Sequence, residues 1–314
     1  MFRRHKPIVV PVVEAPPTPV VPRVEVDPYL GNERARVLHR AALDGQIGAL
    51  GPLLQAAISP AERIWLISVL ATDTRLGDTL RTWSRAQPMS LDAACAAGAS
   101  LVVQAGELDD LSGVELLREA DRTLLQASSL GPSSPTPWVW LLHSGRALRI
   151  STHELRLRYD HAVRDQPVSF DAASALLLGV SPRASGSRDE MFEFARSAAG
   201  GAPGGSVLHV LPVVAHIEQA IRDHPAGGAS FAAALASQRA DITDAAAESV
   251  DHASFVDDNP DCARARNIIC FALAFAGDEA AAVRQRDAIG TRLHTSPWQL
   301  LGDPATVYAT AAGH

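Results

Sequence analysis

The sequence predicts an all-α protein, and three observations lead to that fold class. Hydrophobic residues make up 47% of the chain but aromatic residues only 5%, so much of the apolar content is alanine. Alanine has the highest helix propensity, and its small side chain lets helices pack closely. Runs of β-branched and aromatic residues bounded by turn clusters, which are typical of strands, are scarce. From Glu33 onward, apolar residues recur at helical spacing between glycine and proline breaks.

The N-terminal segment differs in composition from the rest of the 314 residues. Prolines between Pro7 and Pro22, together with the charge of Glu14, interrupt an apolar stretch that would otherwise resemble a secretory signal. We predict a disordered, proline-rich tail over residues 1–27 and a single helical domain over residues 28–314. A docking role of this tail for a proline-reading partner is the alternative.

Start and stop signals place individual helices. Ser59 has the features of an N-cap, Pro60 those of a first-turn proline, and Glu62 follows three residues after the cap, so a helix is predicted from Pro60. The pair Gly51-Pro52 predicts a break in the preceding helix. Two further helices are predicted on either side of "GELDDLSG", residues 106–113.

Two segments of the chain share a pattern 35 residues apart. Each places small or bulky apolar residues at offsets 0, 4 and 7 and a proline at offset 12. The first copy consists of Ala120, Leu124, Ala127 and Pro132, and the second of Leu155, Tyr159, Ala162 and Pro167. Looser copies begin at Leu76, Arg188 and Ala281. The pattern predicts a repeated two-helix unit.

This period and its helix-ending proline resemble the tetratricopeptide repeat (TPR). The resemblance covers roughly residues 60–295 and extends to uncharacterised bacterial proteins with TPR-like repeats. It implies antiparallel helix hairpins that stack into a right-handed superhelix, because one hairpin cannot bury its apolar face alone. A superhelix of this kind has a concave groove that binds protein or peptide segments. An irregular globular bundle is the alternative all-α architecture.

The resemblance also implies the binding residues. If Trp138 is the fourth residue of its unit, the groove-facing positions are Val139, His143, Arg146, Asp171 and Ser174. Arg146 would pair bidentately with a carboxylate of the partner, and His143 would add a hydrogen bond. The alternative for Arg146 is a structural ion pair with Glu154 or Asp160.

A second interpretation makes the protein an enzyme. Asp257, Asp258 and Asp261 in "DDNPD" resemble the aspartate-rich motif with which class I terpene synthases and prenyltransferases hold magnesium and diphosphate. However, Pro260 stands inside the motif, where it would break a helix unless it begins one. A helix that starts at Pro260, capped by Asp258 or Asn259, is therefore the preferred interpretation.

Composition limits the remaining functions. The net charge of −7 argues against nucleic-acid binding, and Lys6 is the sole lysine, which removes lysine-dependent catalysis. Three cysteines without a C-x-x-C pair are typical of buried thiols in a reducing compartment, so we expect a cytoplasmic protein. No uninterrupted apolar run reaches 18 residues, so no membrane span is expected. The sequence thus predicts a non-catalytic scaffold for a protein or peptide, without cofactor or metal.

Overall fold

The computed structural model describes residues 25–108, 111–166 and 168–311. These residues form α-helices and short 3-10 helices and contain no strand, which confirms the all-α prediction. Most of the predicted tail and Pro167, the marker proline of the second copy, lie outside the described residues.

The described ranges contain sixteen α-helices, numbered in chain order. They are α1 (Glu33–Leu43), α2 (Ile47–Gln55), α3 (Pro60–Thr72), α4 (Gly77–Ala86), α5 (Leu91–Ala105), α6 (Leu111–Leu130), α7 (Thr136–Ala147), α8 (Thr152–Val163), α9 (Phe170–Gly179), α10 (Arg188–Gly200), α11 (Leu211–Asp223), α12 (Gly228–Ala236), α13 (Arg239–Glu248), α14 (Pro260–Phe275), α15 (Glu279–Ile289) and α16 (Pro304–Ala311). The 3-10 helices span Thr74–Leu76, Val207–Val210 and Trp298–Leu300.

Most local signals were interpreted correctly, but one was not. Ser59 caps α3 as predicted, since its side chain accepts a hydrogen bond from the amide of Glu62. The predicted break at Gly51-Pro52 is wrong, because α2 continues through Pro52. The break lies instead at Gly45, whose φ of +70° ends α1 in a conformation that glycine adopts easily. Pro52 deprives α2 of a single backbone hydrogen bond, which this short helix tolerates.

The central helices form two rows. Each helix from α4 to α11 packs against the next one in the chain. The odd-numbered helices α3, α5, α7, α9 and α11 also pack against one another in sequence, and they form the inner row. The chain thus alternates between this inner row and the outer helices α4, α6, α8 and α10.

The repeated pattern marks the buried side of the outer helices. Ala120, Leu124 and Ala127 are fully buried on α6. The second copy lies on α8, where Leu155 and Ala162 are buried and Tyr159 is half-buried. In two of the looser copies the equivalent buried residues are Leu80 and Trp83 on α4 and Phe192 and Ala195 on α10. The copy that begins at Ala281 lies on α15, outside these two rows. The offsets therefore recur on every outer helix from α4 to α10, where they place an apolar face against the inner row.

The C-terminal helices fold back on the inner row. Helix α14 packs against α3 near the beginning of the row and against α11 at its end. The amide of Asp27 donates a hydrogen bond of 2.9 Å to the carbonyl of Leu293, which joins the start of the described chain to the segment after α15. The inner face of the row is consequently covered in part by the protein's own α14.

Asn267, fully buried on α14, fixes the segment that follows α15. Its amide nitrogen donates to the carbonyls of Ala263 and Arg292, at 2.9 and 3.0 Å. Its side-chain oxygen accepts from the amide of His294 and from the indole N–H of Trp298, at 3.0 and 3.1 Å. The side-chain amide of Asn267 therefore forms hydrogen bonds with four partners and holds residues 292–298 in place.

Candidate ligand-binding cleft

A cleft of ≈ 530 Å³ opens beside the last turns of α7 and α9. The ends of these two helices, the loop after α9, the middle of α11 and α14, and residues 296–300 enclose it. We call it the Arg146 cleft; its principal lining residues are Arg146, Arg149, Arg183, Glu218, Ile268 and Pro297. Its volume lies within the range of pockets that bind small ligands.

Arg146 is the half-buried cation of the cleft. It forms no hydrogen bond or ion pair with any residue that the structure describes. Burial lowers the pKa of its guanidinium, although the negative charge of Glu218 acts in the opposite direction. The alternative ion pair with Glu154 or Asp160 does not form, since Glu154 accepts a hydrogen bond from Arg158 instead. A partly desolvated arginine without a direct ion pair is available to an anionic ligand.

Two further arginines border the same cleft. Arg149 follows α7 with a left-handed φ of +53°, and its guanidinium donates to the carbonyls of Ala184 and Arg183, both at 3.4 Å. Arg183 donates to the carboxylate of Glu218 at 3.1 Å, and the hydroxyl of Ser181 donates to the same carboxylate at 3.2 Å. Glu218 therefore neutralises Arg183, whereas Arg149 contacts only neutral carbonyl oxygens among the described residues.

A polar layer lies one helical turn below the cleft. His143, Ser174 and Arg264 precede the lining residues Arg146, Leu178 and Ile268 by three or four residues on α7, α9 and α14. This spacing keeps them on the same helix faces, about 5 Å deeper along each axis.

Arg264 is the central charge of this layer. It donates to Asp171 at 2.6 Å and also to Asp261, so one guanidinium joins α14 to α9. Its charge lies 5.5 Å from the ring of Trp65 and 5.3 Å from that of Phe170. Two carboxylates and two aromatic faces together compensate for the desolvation of this arginine.

The titratable groups around Arg264 respond to burial and to its charge. Burial, reinforced by the positive charges of Arg146 and Arg264, lowers the pKa of His143 to about 3. Burial and Arg264 also lower the pKa of His294 to about 4. Burial raises the pKa of Asp171 to about 6, against the opposing effect of Arg264. Both shifts favour the neutral imidazole at physiological pH.

The structure gives the predicted site residues different positions. Arg146 lines the cleft, whereas His143, Ser174 and Asp171 belong to the layer beneath it. The Ser174 hydroxyl is buried without a hydrogen-bond partner among the described residues. Val139 requires a correction: only 1% of its surface is exposed, and it packs in an apolar core with Ile64 and Leu142, so a partner cannot reach it.

Arg149, Arg183 and Arg264 were missed by the sequence analysis. Arg149 and Arg183 lie outside the helices, so the helical phase of the repeat does not include them. Arg264 lies on α14, outside the two clear copies of the repeat, and its approach to Asp171 spans 93 residues. The pair of arginines in "GRALRI" was the one local signal of a basic site.

The aspartate-rich motif forms a helix start. Asn259 caps α14, as the preferred interpretation stated, because its side chain accepts from the amides of Asp261 and Cys262. Asp257 binds Arg266 at 2.6 Å and Arg292 at 2.8 Å through both carboxylate oxygens, while Asp261 binds Arg264. Asp258 accepts a hydrogen bond from the side chain of Asn259 at 3.0 Å, so the three carboxylates of the motif have different partners. The described residues contain no group of three or more side chains arranged to hold a metal ion.

Two other expectations concern thiols and membranes. Cys95, Cys262 and Cys270 are free and buried, as predicted. Within the described ranges, no helix combines the length and the apolar character needed to cross a bilayer.

Comparison with known proteins gives no match for this chain. No family model, no curated protein and no solved structure is significantly similar to it.

Proposed function

We propose that this protein is a non-catalytic binding protein that holds an acidic segment of a protein or peptide partner in the Arg146 cleft. The observation that carries the proposal is the half-buried guanidinium of Arg146, which has no ion pair with any described residue. Leaving a cation partly desolvated and unpaired is unfavourable. A carboxylate from a partner would supply two parallel charge-assisted hydrogen bonds and remove that penalty.

The electrostatics of the cleft support an anionic ligand. The protein carries a net charge of −7, yet three arginines and one glutamate border this cleft. A local positive potential in an acidic protein attracts anions and repels cationic segments. Neutral His143 beneath Arg146 adds a hydrogen-bonding group without adding charge.

We also infer that the central helices form a TPR-like right-handed superhelix. The alternation of inner and outer helices from α4 to α11 and the recurrence of the buried offsets on the outer helices support this architecture. In such a fold a partner occupies the inner face. Here α14 takes part of that face, and the Arg146 cleft is an opening at the ends of α7 and α9. The rigid helices around the opening reduce the ordering entropy lost on binding.

The proposal is tested by direct binding of defined peptides. A pool of fluorescent peptides with one or more glutamates would be compared with the same peptides carrying glutamine, using fluorescence polarisation. We expect glutamate-dependent binding that Arg146→Gln abolishes and that Arg118→Gln, at an exposed position on α6, leaves unchanged. Equal binding of the glutamine peptides, or full binding by Arg146→Gln, would contradict the proposal.

A further inference from the structure

We infer that the ligand of the Arg146 cleft carries two carboxylate groups, one for Arg146 and one for Arg149. This inference rests on the proposed function and specifies its ligand class. The ligand chemistry is that of a dicarboxylate, which can be an acidic residue at the C-terminus of a peptide or a free dicarboxylic acid.

The charges that border the cleft do not balance within the protein. Three arginines face the cleft, but Glu218 is the one carboxylate among the residues that line it. That carboxylate is bound by Arg183 and by the hydroxyl of Ser181. Arg146 and Arg149 remain without a carboxylate partner among the described residues, so the lining carries two uncompensated positive charges.

The two unpaired arginines lie at different depths. Arg146 is half-buried in the last turn of α7, whereas Arg149 is exposed and lies beyond the end of that helix. The backbone carbonyls of Arg183 and Ala184 hold the guanidinium of Arg149 over the loop that borders the cleft. A guanidinium has about five N–H donors, and these two hydrogen bonds to neutral acceptors leave the others available to an anion. A ligand would therefore place one carboxylate inside the cleft and the other near its rim.

The size of the cleft fits a chain end or a small molecule. Helices α7, α9, α11 and α14 and residues 296–300 border a partly open space of ≈ 530 Å³. A C-terminal glutamate or aspartate offers two carboxylates separated by a few bonds, which suits one arginine inside this space and another at its rim.

The experiment compares ligands that differ by one carboxylate. Isothermal titration calorimetry would use a short peptide ending in glutamate with a free C-terminus, the same peptide with an amidated C-terminus, and the same peptide ending in glutamine. Glutarate and butyrate would serve as the free diacid and monoacid. We expect removal of either carboxylate to weaken binding at least about tenfold, which is typical of a lost charge-assisted hydrogen bond.

Variants assign each carboxylate to its arginine. Arg149→Gln should lower the affinity for the peptide with a free C-terminus to that for a singly charged peptide. For a peptide that already lacks one carboxylate, the same substitution should lower the affinity little further. Arg146→Gln should weaken all the ligands, and Arg118→Gln should leave all of them unchanged. Tighter binding of the peptide than of glutarate identifies a chain end as the ligand and supports both the inference and the proposed function. Equal binding identifies a free diacid, which supports the two-carboxylate ligand and contradicts a peptide partner.

Two results would overturn the inference, and they are distinguishable from failure of the proposed function. If singly charged peptides bind through Arg146 as tightly as doubly charged ones, the proposed function stands and the two-carboxylate ligand is wrong. If Arg149→Gln binds every ligand as wild type does, the assignment of the second carboxylate is wrong. If no acidic ligand binds in a manner that depends on Arg146, the inference and the proposed function fail together.

Discussion

Replacing Arg264 with leucine tests whether this residue locks α14 onto the inner row of helices. The substitution removes the hydrogen bonds to Asp171 and Asp261 and the contacts with two aromatic rings. Removing one partner of a buried ion pair costs about 3–5 kcal/mol, because the other partner is left uncompensated. We expect a loss of about 4 kcal/mol in the free energy of unfolding, which lowers Tm by about 6 °C in a protein of 314 residues.

The loss should depend on pH in a defined direction. Burial already raises the pKa of Asp171 to about 6, and without Arg264 that pKa rises further. When the pKa of a carboxyl group is higher in the folded than in the unfolded state, the protein becomes less stable as pH rises from the lower to the higher of the two values. The variant should therefore be destabilised more at pH 8 than at pH 5.

Urea unfolding followed by circular dichroism at both pH values measures this difference. Arg40→Leu provides the control, since the Arg40 side chain is 79% exposed and its replacement should change stability by less than about 0.5 kcal/mol. A loss below about 1 kcal/mol for Arg264→Leu at pH 8 would refute the idea that this residue locks α14, because a buried pair should cost more. Equal losses at the two pH values would refute the argument about the carboxylates.

Three more predictions concern stability, each measured by urea unfolding. Asn267→Leu should lower the free energy of unfolding by about 2–5 kcal/mol, because it leaves the N–H groups of His294 and Trp298 without their acceptor. A loss below about 1 kcal/mol would show that other contacts hold segment 292–298 in place. Gly186→Ala should lower the free energy of unfolding by about 1–3 kcal/mol, because its Cβ would lie 2.0 Å from the carbonyl oxygen of Val180. Gly48→Ala on α2 should raise it by about 0.5–1 kcal/mol, because its Cβ would have nothing within 4 Å. A more stable Gly186→Ala than Gly48→Ala would contradict both expectations. Acidification from pH 7.5 to 5 should lower the free energy of unfolding by about 2 kcal/mol through His143, because its pKa of about 3 in the folded protein lies below the unfolded value of about 6.5 and stability is lost as pH falls below that value. His143→Gln should lack that part of the pH dependence. An unchanged pH dependence in this variant would mean that His143 protonates freely in the folded protein.

Much of the fold was accessible from local sequence because helix signals act over a few residues. The cap at Ser59 and the offsets that mark Ala120 and Leu155 all operate within one or two helical turns. The wrong break at Gly51-Pro52 has the same origin, since local propensity favoured Pro52 as a terminator and did not weigh Gly45. Tertiary packing decides which of two such signals ends a helix, and a short stretch of sequence does not reveal that packing.

The site was only partly accessible, because it depends on contacts that are distant in the chain. Arg146 was found through the phase of one repeat, and its counterpart in the cleft, Arg183, follows a different helix. The burial of Val139 could not be predicted because a groove-facing and a core-facing residue have the same helical spacing. The pairing of Arg264 with Asp171 depends on α14 folding back across the inner row, which a repeat pattern does not predict.

The hydrogen bond between Asp27 and Leu293 has a consequence for how the chain comes apart. In an open helical array the terminal units fray first, since each contacts a neighbour on one side only. In this protein the segment before α1 is hydrogen-bonded to the segment after α15, and α3 packs against α14, so the N-terminal and C-terminal helices are linked. Hydrogen exchange should accordingly show α1 and α14 opening in the same cooperative event rather than in succession from one terminus.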